Sequence, residues 1–128
     1  MARLYLIAGA LNAMLAVGLG AFGAHGLKGR LSADLLAVYQ TGFQYHIYHS
    51  LGLVLIGILA LHLPASIWLK WSGALMLFGI LCFSGSLYLL AVTGVRWLGA
   101  ITPFGGFAFL IAWLLLAVAV FRSNGVNV

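Results

Sequence analysis

The residues best equipped for chemistry fall in TGFQYHIYHSLGL, residues 41–53, where two histidines, a glutamine, two tyrosines and a serine run directly into the apolar LVLIGILAL. His46 and His49 stand at i and i+3, a spacing that can bring two imidazoles to one ion. A zinc site needs a third or fourth donor, and few are at hand: His25 at the end of the first apolar run, Asp34 in the connection that follows, and Cys82 on a later helix of opposite direction. Haem takes an axial histidine from one side or ligands from opposite sides, and residues at i and i+3 cannot sandwich one iron. A proton or ion relay in a membrane is commonly completed by carboxylates, yet the only acid, Asp34, lies outside the apolar runs. The reading that fits best makes His46 and His49 hydrogen-bonding groups that reach neighbouring helices close to the membrane interface. A relay through the histidines, and a metal or haem site drawn from His46, His49 and His25, are the alternatives.

Other catalytic sets are missing from the sequence. Glutamate is absent altogether, and there is no HExxH, no GxSxG and no phosphate loop of the form GxxxxGK followed by Ser or Thr. GLGAFGAHG, residues 18–26, is rich in glycine but ends a hydrophobic helix and follows no strand, so it reads as close packing and a chain turn. His62 beside Pro64 reads as a wet loop residue. No catalytic residue, resident metal or cofactor is expected, and the candidate polar cluster is His25, Gln40, Gln44, His46, His49 and Ser50.

The elements that must position these groups follow from composition. Of the 128 residues, 65% are hydrophobic and 5% charged, with a mean hydropathy of +1.19. Soluble domains carry roughly 25% charged residues, so this chain cannot clothe a water-facing surface. Four segments, about 4–24, 39–61, 68–92 and 97–121, reach the length of about 20 apolar residues that a span requires. The expected fold class is all-α, a single integral membrane domain over 1–128 built as a bundle of four transmembrane helices with short loops. The N-terminal MAR and its apolar run also resemble a secretory signal, but the run is long and its small residues are periodic, so it is taken as the first span. The net charge is +5. In a soluble domain it would suggest nucleic acid; here the cations sit singly at the ends of apolar runs, as anchors to anionic lipid rather than nucleic-acid contacts. Arg3, Lys70 and Arg122 fall on one side and Lys28, Arg30 and Arg96 on the other, so charge alone sets no orientation. With Cys82 as the only cysteine, no internal disulfide can form.

Between the first two spans, Ser32 is placed to cap a helix with Asp34 in its first turn, and that helix is expected to start on the membrane surface before it dives. Thr102 followed by Pro103 reads as a cap with proline at the first helical position, leaving residues 96–101 as an interfacial piece. Trp68, Trp71 and Tyr5 are expected at one interface, Trp97 and Tyr39 at the other. Membrane helices associate through small residues and interhelical hydrogen bonds. On a helical wheel Gly9, Asn12, Ala16, Gly20 and Gly23 form one stripe of the first helix; Gly79 and Ser86 mark a seam on the third, and Gly105, Ala108, Ala112 and Ala119 one side of the fourth. Asn12, an amide deep in a span, should face protein and bond across helices. In the second helix His46, His49, Ser50 and Gly57 share a face, with Gln40 and Gln44 on another.

Four stretches together carry a family resemblance: GAFGAHGLK from Gly20, YQTGFQYHIYHSLGL from Tyr39, FSGSLYLLAVTG from Phe83 and ITPFGG from Ile101. In order, one per helix, they resemble the signatures of the small bacterial inner-membrane proteins of the YgdD type, a domain of unknown function related to eukaryotic transmembrane protein 256. The resemblance implies a multi-pass protein of the bacterial inner (plasma) membrane with four helices. It brings no activity or catalytic residue, but it points to His25, Gln40, His46, His49, Ser84, Ser86, Thr102 and Pro103 as motif positions. The function expected is that of a structural or accessory protein packing with itself as a homo-oligomer, with membrane lipid or with a larger membrane complex. A small transporter or channel with a polar passage around His46, Ser50 and Asn12 is the main alternative, and a metal- or haem-dependent membrane protein the second.

Overall fold

The computed structural model describes residues 1–124, so the last residues of the expected domain, 125–128, lie outside it. Among the described residues there is no strand. The helices are α1 (Ala2–His25), α2 (Ala33–His62), α3 (Ile67–Gly79), α4 (Gly85–Thr93) and α5 (Thr102–Phe121); a π turn, Ile80–Ser84, joins α3 to α4, and a 3-10 turn, Arg96–Ala100, precedes α5. Four helical segments are long and apolar enough to cross a membrane: Ala2–His25, Ala33–His62, Ile67–Thr93 and Arg96–Phe121. The residue distribution is inside out. Leu81 and Leu110 are 74% and 69% exposed while Ser50, Ser72 and Ser84 are fully buried, which only a hydrocarbon solvent makes favourable.

Local sequence explains most of the helix ends. The Ser32 hydroxyl accepts from Leu35 N at 3.2 Å and Asp34 sits in the first turn of α2. Ser66, just beyond Pro64, accepts from Leu69 N at 3.3 Å at the start of α3. At 30 residues, α2 is about 45 Å long, more than a straight crossing of about 30 Å of hydrocarbon requires. Gly94 ends α4 with φ of +73° while its N–H bonds Leu90 O, a left-handed closure that a residue with Cβ adopts only under strain.

Three features differ from the sequence reading. The third span is not a continuous α-helix: Gly85 N reaches back to Ile80 O, five residues earlier, which widens one turn. Thr102 does not cap α5; it is the first helical residue, and its hydroxyl instead meets Ser86 Oγ at 2.6 Å. Tyr5 and Tyr39 are not belt residues facing lipid. Both are buried and donate across the bundle, Tyr5 to Lys70 O and Tyr39 to Leu19 O at 2.6 Å. A phenol near a helix end can satisfy its hydroxyl on a neighbour's carbonyl as well as on headgroups, and here a glycine on the facing helix makes room: Gly73 under the Tyr5 ring and Gly23 under the Tyr39 ring.

Small residues set the helix contacts. A Cβ on Gly9 would stand 2.7 Å from Val54 Cγ2 and 2.8 Å from Val54 N, and one on Gly20 would meet the Phe43 ring, so α1 lies against α2 with Ala16 buried between them. Across α3 and α5, Ser72 donates to Ala112 O at 2.6 Å, Gly79 faces the Phe109 ring, and Gly105 abuts the Phe83 backbone. Leu53, Ile56, Leu69, Met76, Phe109 and Ala112 fill the apolar core on that side.

Candidate functional site

Gly42, Gly52 and Gly57 keep one face of α2 thin enough for its neighbours to approach, and between them that face carries His46, His49 and Ser50 inward. His46 Nε2 lies 3.1 Å from Asn12 Oδ1 and its Nδ1 3.0 Å from the Tyr88 hydroxyl. The donors can be assigned by elimination. Asn12 gives its Nδ2 to Ala8 O at 2.9 Å, which turns its oxygen toward His46; an amide oxygen only accepts, so His46 Nε2 carries the proton. Nδ1 is then an acceptor, and Tyr88 donates to it. The cluster ties α1, α2 and α4 together. Ser50 closes it from below by donating to His46 O at 2.7 Å.

His49 is wired the other way. Its Nδ1 lies 2.7 Å from Tyr45 O, a carbonyl that only accepts, so Nδ1 carries the proton; the Trp113 indole N–H donates to Nε2 at 3.0 Å. The ring also stacks on Phe109, centroids 3.5 Å apart and planes within 11°. His49 thus fastens α2 to α5.

Depth corrects one expectation. Asn12 lies near the middle of the 24-residue α1, so its partner His46 sits at mid-membrane and not near the interface. The physical reason is register: Gly9 of α1 meets Val54 and Gly20 meets Phe43 of α2, and that antiparallel alignment sets the middle of α1 beside His46. His25 ends α1 and is exposed, about 20 Å from Asn12 along the helix axis, so the structure does not bring it to His46 and His49. Among the described residues no group of three His, Cys, Asp or Glu could hold a metal ion, and His46 and His49 each already use both ring nitrogens within the fold. Gln40 and Gln44 are exposed on the outer face of α2, away from the histidines. Nor is the polar cluster continued along α2, where the next inward residues are Leu53 and Ile56, both fully buried in the apolar core. Tyr88 and Trp113 complete the two histidine pairs yet escaped the sequence reading; each lies in an otherwise apolar run, and no spacing rule links it to α2.

One further polar group is left over. Ser84 is fully buried in the π turn and its hydroxyl has no hydrogen-bond partner. It borders a crevice of about 130 Å³ whose wall also includes Asn12, His46 and Tyr88.

Over residues 19–106 the chain matches the family described as "Protein of unknown function (DUF423)". It is 54% identical over 91 residues to the UPF0382 membrane protein SSP2132 of Staphylococcus saprophyticus, an alignment that covers 71% of this chain and 74% of that protein. It is 53% identical over the same length to the UPF0382 membrane protein YwdK of Bacillus subtilis, with the same shares covered. With SERP0230 of Staphylococcus epidermidis, a third UPF0382 membrane protein, it shares 51% over 91 residues, covering 71% and 73%. No solved structure matches.

Proposed function

Since the chain belongs to the DUF423 family, that of the YgdD-type motifs, we propose from its geometry that it is an accessory protein of the bacterial plasma membrane that pairs with a second copy of itself through the outer face of α2. The observation that carries this reading is the pair Gln40 and Gln44. They stand one turn apart on a membrane span, both exposed, and neither makes a side-chain hydrogen bond among the described residues. Exposed Tyr48 continues the same face.

A side-chain amide in hydrocarbon is costly until it finds a partner, and polar side chains between membrane helices act as glue. A glutamine amide carries both donors and an acceptor, so the same amide on a second copy satisfies it; a face of this kind is self-complementary under a two-fold axis. The histidines, by contrast, already have their partners within the chain, which supports a structural role for them. The remaining surface of α1 and α5 is apolar and suited to lipid.

Cysteine crosslinking in native membranes tests the pairing. In a Cys82→Ala background, Gln44→Cys and Tyr48→Cys are expected to give disulfide-linked dimers on mild oxidation, while Leu110→Cys on the lipid face of α5 stays monomeric. Equal crosslinking at all three positions, or none at Gln44→Cys, would overturn it.

A further inference from the structure

The crevice beside the π turn shows an almost wholly apolar surface, with four polar side chains set just behind it. Leu15 of α1 and Ile80 of the π turn flank it, and Asn12, His46, Ser84 and Tyr88 are among the residues that line its volume of about 130 Å³. It exists because α1 packs extensively on α2 but not on the π turn or α4, which leaves a slot at mid-membrane that opens sideways toward lipid.

Ser84 is the odd hydroxyl of the bundle. Thr41, Ser50 and Thr93 each fold back onto the carbonyl four residues earlier, the usual way a helix hides a hydroxyl from lipid. For Ser84 that carbonyl is Ile80 O, which the π turn has turned to Gly85 N. The hydroxyl is therefore stranded, and it bears the desolvation cost of a buried group without a partner. Interrupting a helix with a π turn and leaving a polar group unmatched both oppose stability, and such turns recur at functional sites. Tyr88, also in the lining, spends its proton on His46 and keeps an oxygen lone pair.

A closed apolar cavity of about 150 Å³ accommodates benzene, so the crevice matches one six-membered ring. We propose that it binds the oxygen-bearing ring of a membrane-soluble phenol or quinone, with Ser84 turning about its single side-chain torsion to donate to the ring oxygen. The walls take the ring by dispersion and burial; the hydroxyl selects for oxygen. This binding is independent of the pairing through Gln40 and Gln44.

The test uses the full chain in nanodiscs of phosphatidylcholine, with the ring nitrogens of His46 followed by ¹⁵N NMR. Titration with 4-methylphenol and, in a separate arm, with duroquinone distinguishes the two ring classes, and toluene is the oxygen-free control. At least one oxygenated ring is expected to shift the His46 signals saturably, with toluene weaker by about tenfold, the effect of one hydrogen bond. Ser84→Ala is expected to lose that same factor while melting at or above the temperature of the unmodified protein, because it removes a stranded hydroxyl. Gly85→Leu provides the second variant: a Cβ there meets only Ile80 O, at 3.9 Å, so the side chain fills the crevice and abolishes the saturable shift without disturbing a helix contact. The proposal is overturned if toluene and both oxygenated rings act alike, if neither oxygenated ring saturates, or if Ser84→Ala binds the ring as well as the unmodified protein.

Discussion

His46 and His49 are three residues apart on one helix and yet belong to different seams. His46 looks toward α1 and α4, where its neighbours are an amide, a phenol and the stranded Ser84 hydroxyl beside a crevice. His49 looks toward α5, where an indole, a backbone carbonyl and a stacked Phe109 ring enclose it. The opposite tautomers follow from those neighbours alone. Both seams border open space, a groove of about 350 Å³ beside His49 and a crevice of about 130 Å³ beside His46, but only the His46 side carries a hydroxyl left without a partner, that of Ser84. Identical side chains on one face therefore do different work, and the difference lies in what the facing helices bring.

The largest blow to the comparison comes from separating the seams physically. Gly9→Leu drives a side chain into the Val54 backbone and is expected to destabilise the fold by about 3 kcal/mol or more, unpacking α1 and with it the Asn12 side of the His46 cluster. Thermal unfolding in bicelles reads the loss, and the α3–α5 seam should outlast the α1–α2 seam by cysteine accessibility. His46→Leu comes next, at about 1–2 kcal/mol, because it strands Asn12 Oδ1 and the Tyr88 hydroxyl together. Replacing Asn12 by Leu in the same chain should return part of that loss; strict additivity of the two substitutions would show that the bond carries no energy.

Trp113→Phe keeps an aromatic ring but removes the donor to His49 Nε2. Its expected cost is about 0.6 kcal/mol, typical of hydrogen bonds between membrane helices, and a loss exceeding that of His46→Leu would reverse the ranking of the two seams. The finest test leaves stability aside. ¹⁵N spectra of the imidazoles should show the proton on Nε2 for His46 and on Nδ1 for His49, and Trp113→Phe should move only the His49 signals. Matching tautomers would contradict the donor assignment at one site.

The four spans, the short loops and the cap at Ser32 were legible in the sequence because each depends on local residue type: runs of apolar residues, glycine and proline breaks, a serine before a helix. The small-residue face of α2 was legible too, as was the different face taken by Gln40 and Gln44, since both follow from helical periodicity; that the two glutamines stand exposed and apart from the histidine cluster was not. What escaped was everything that depends on register between helices. Tyr39 has the composition of a belt residue and points inward because Gly23 makes room for its ring. Thr102 looks like a cap and is taken by Ser86. The π turn has no periodic signature at all, as one extra residue in a turn leaves an apolar run unchanged in composition.

Sequence by itself determined that this chain lives in a membrane, crosses it with four helices and sets His46 and His49 on the second, because an apolar helical chain satisfies its backbone in hydrocarbon only within long helices. Tertiary structure decided the partners: that His46 meets Asn12 and Tyr88, that His49 meets Trp113, that His25 stays apart from both, and that Ser84 meets nothing. Hydrogen bonds depend on distances of a few tenths of an ångström, and those are set by how far one helix slides along another, a quantity written in the packing of glycines against rings and not in any single segment.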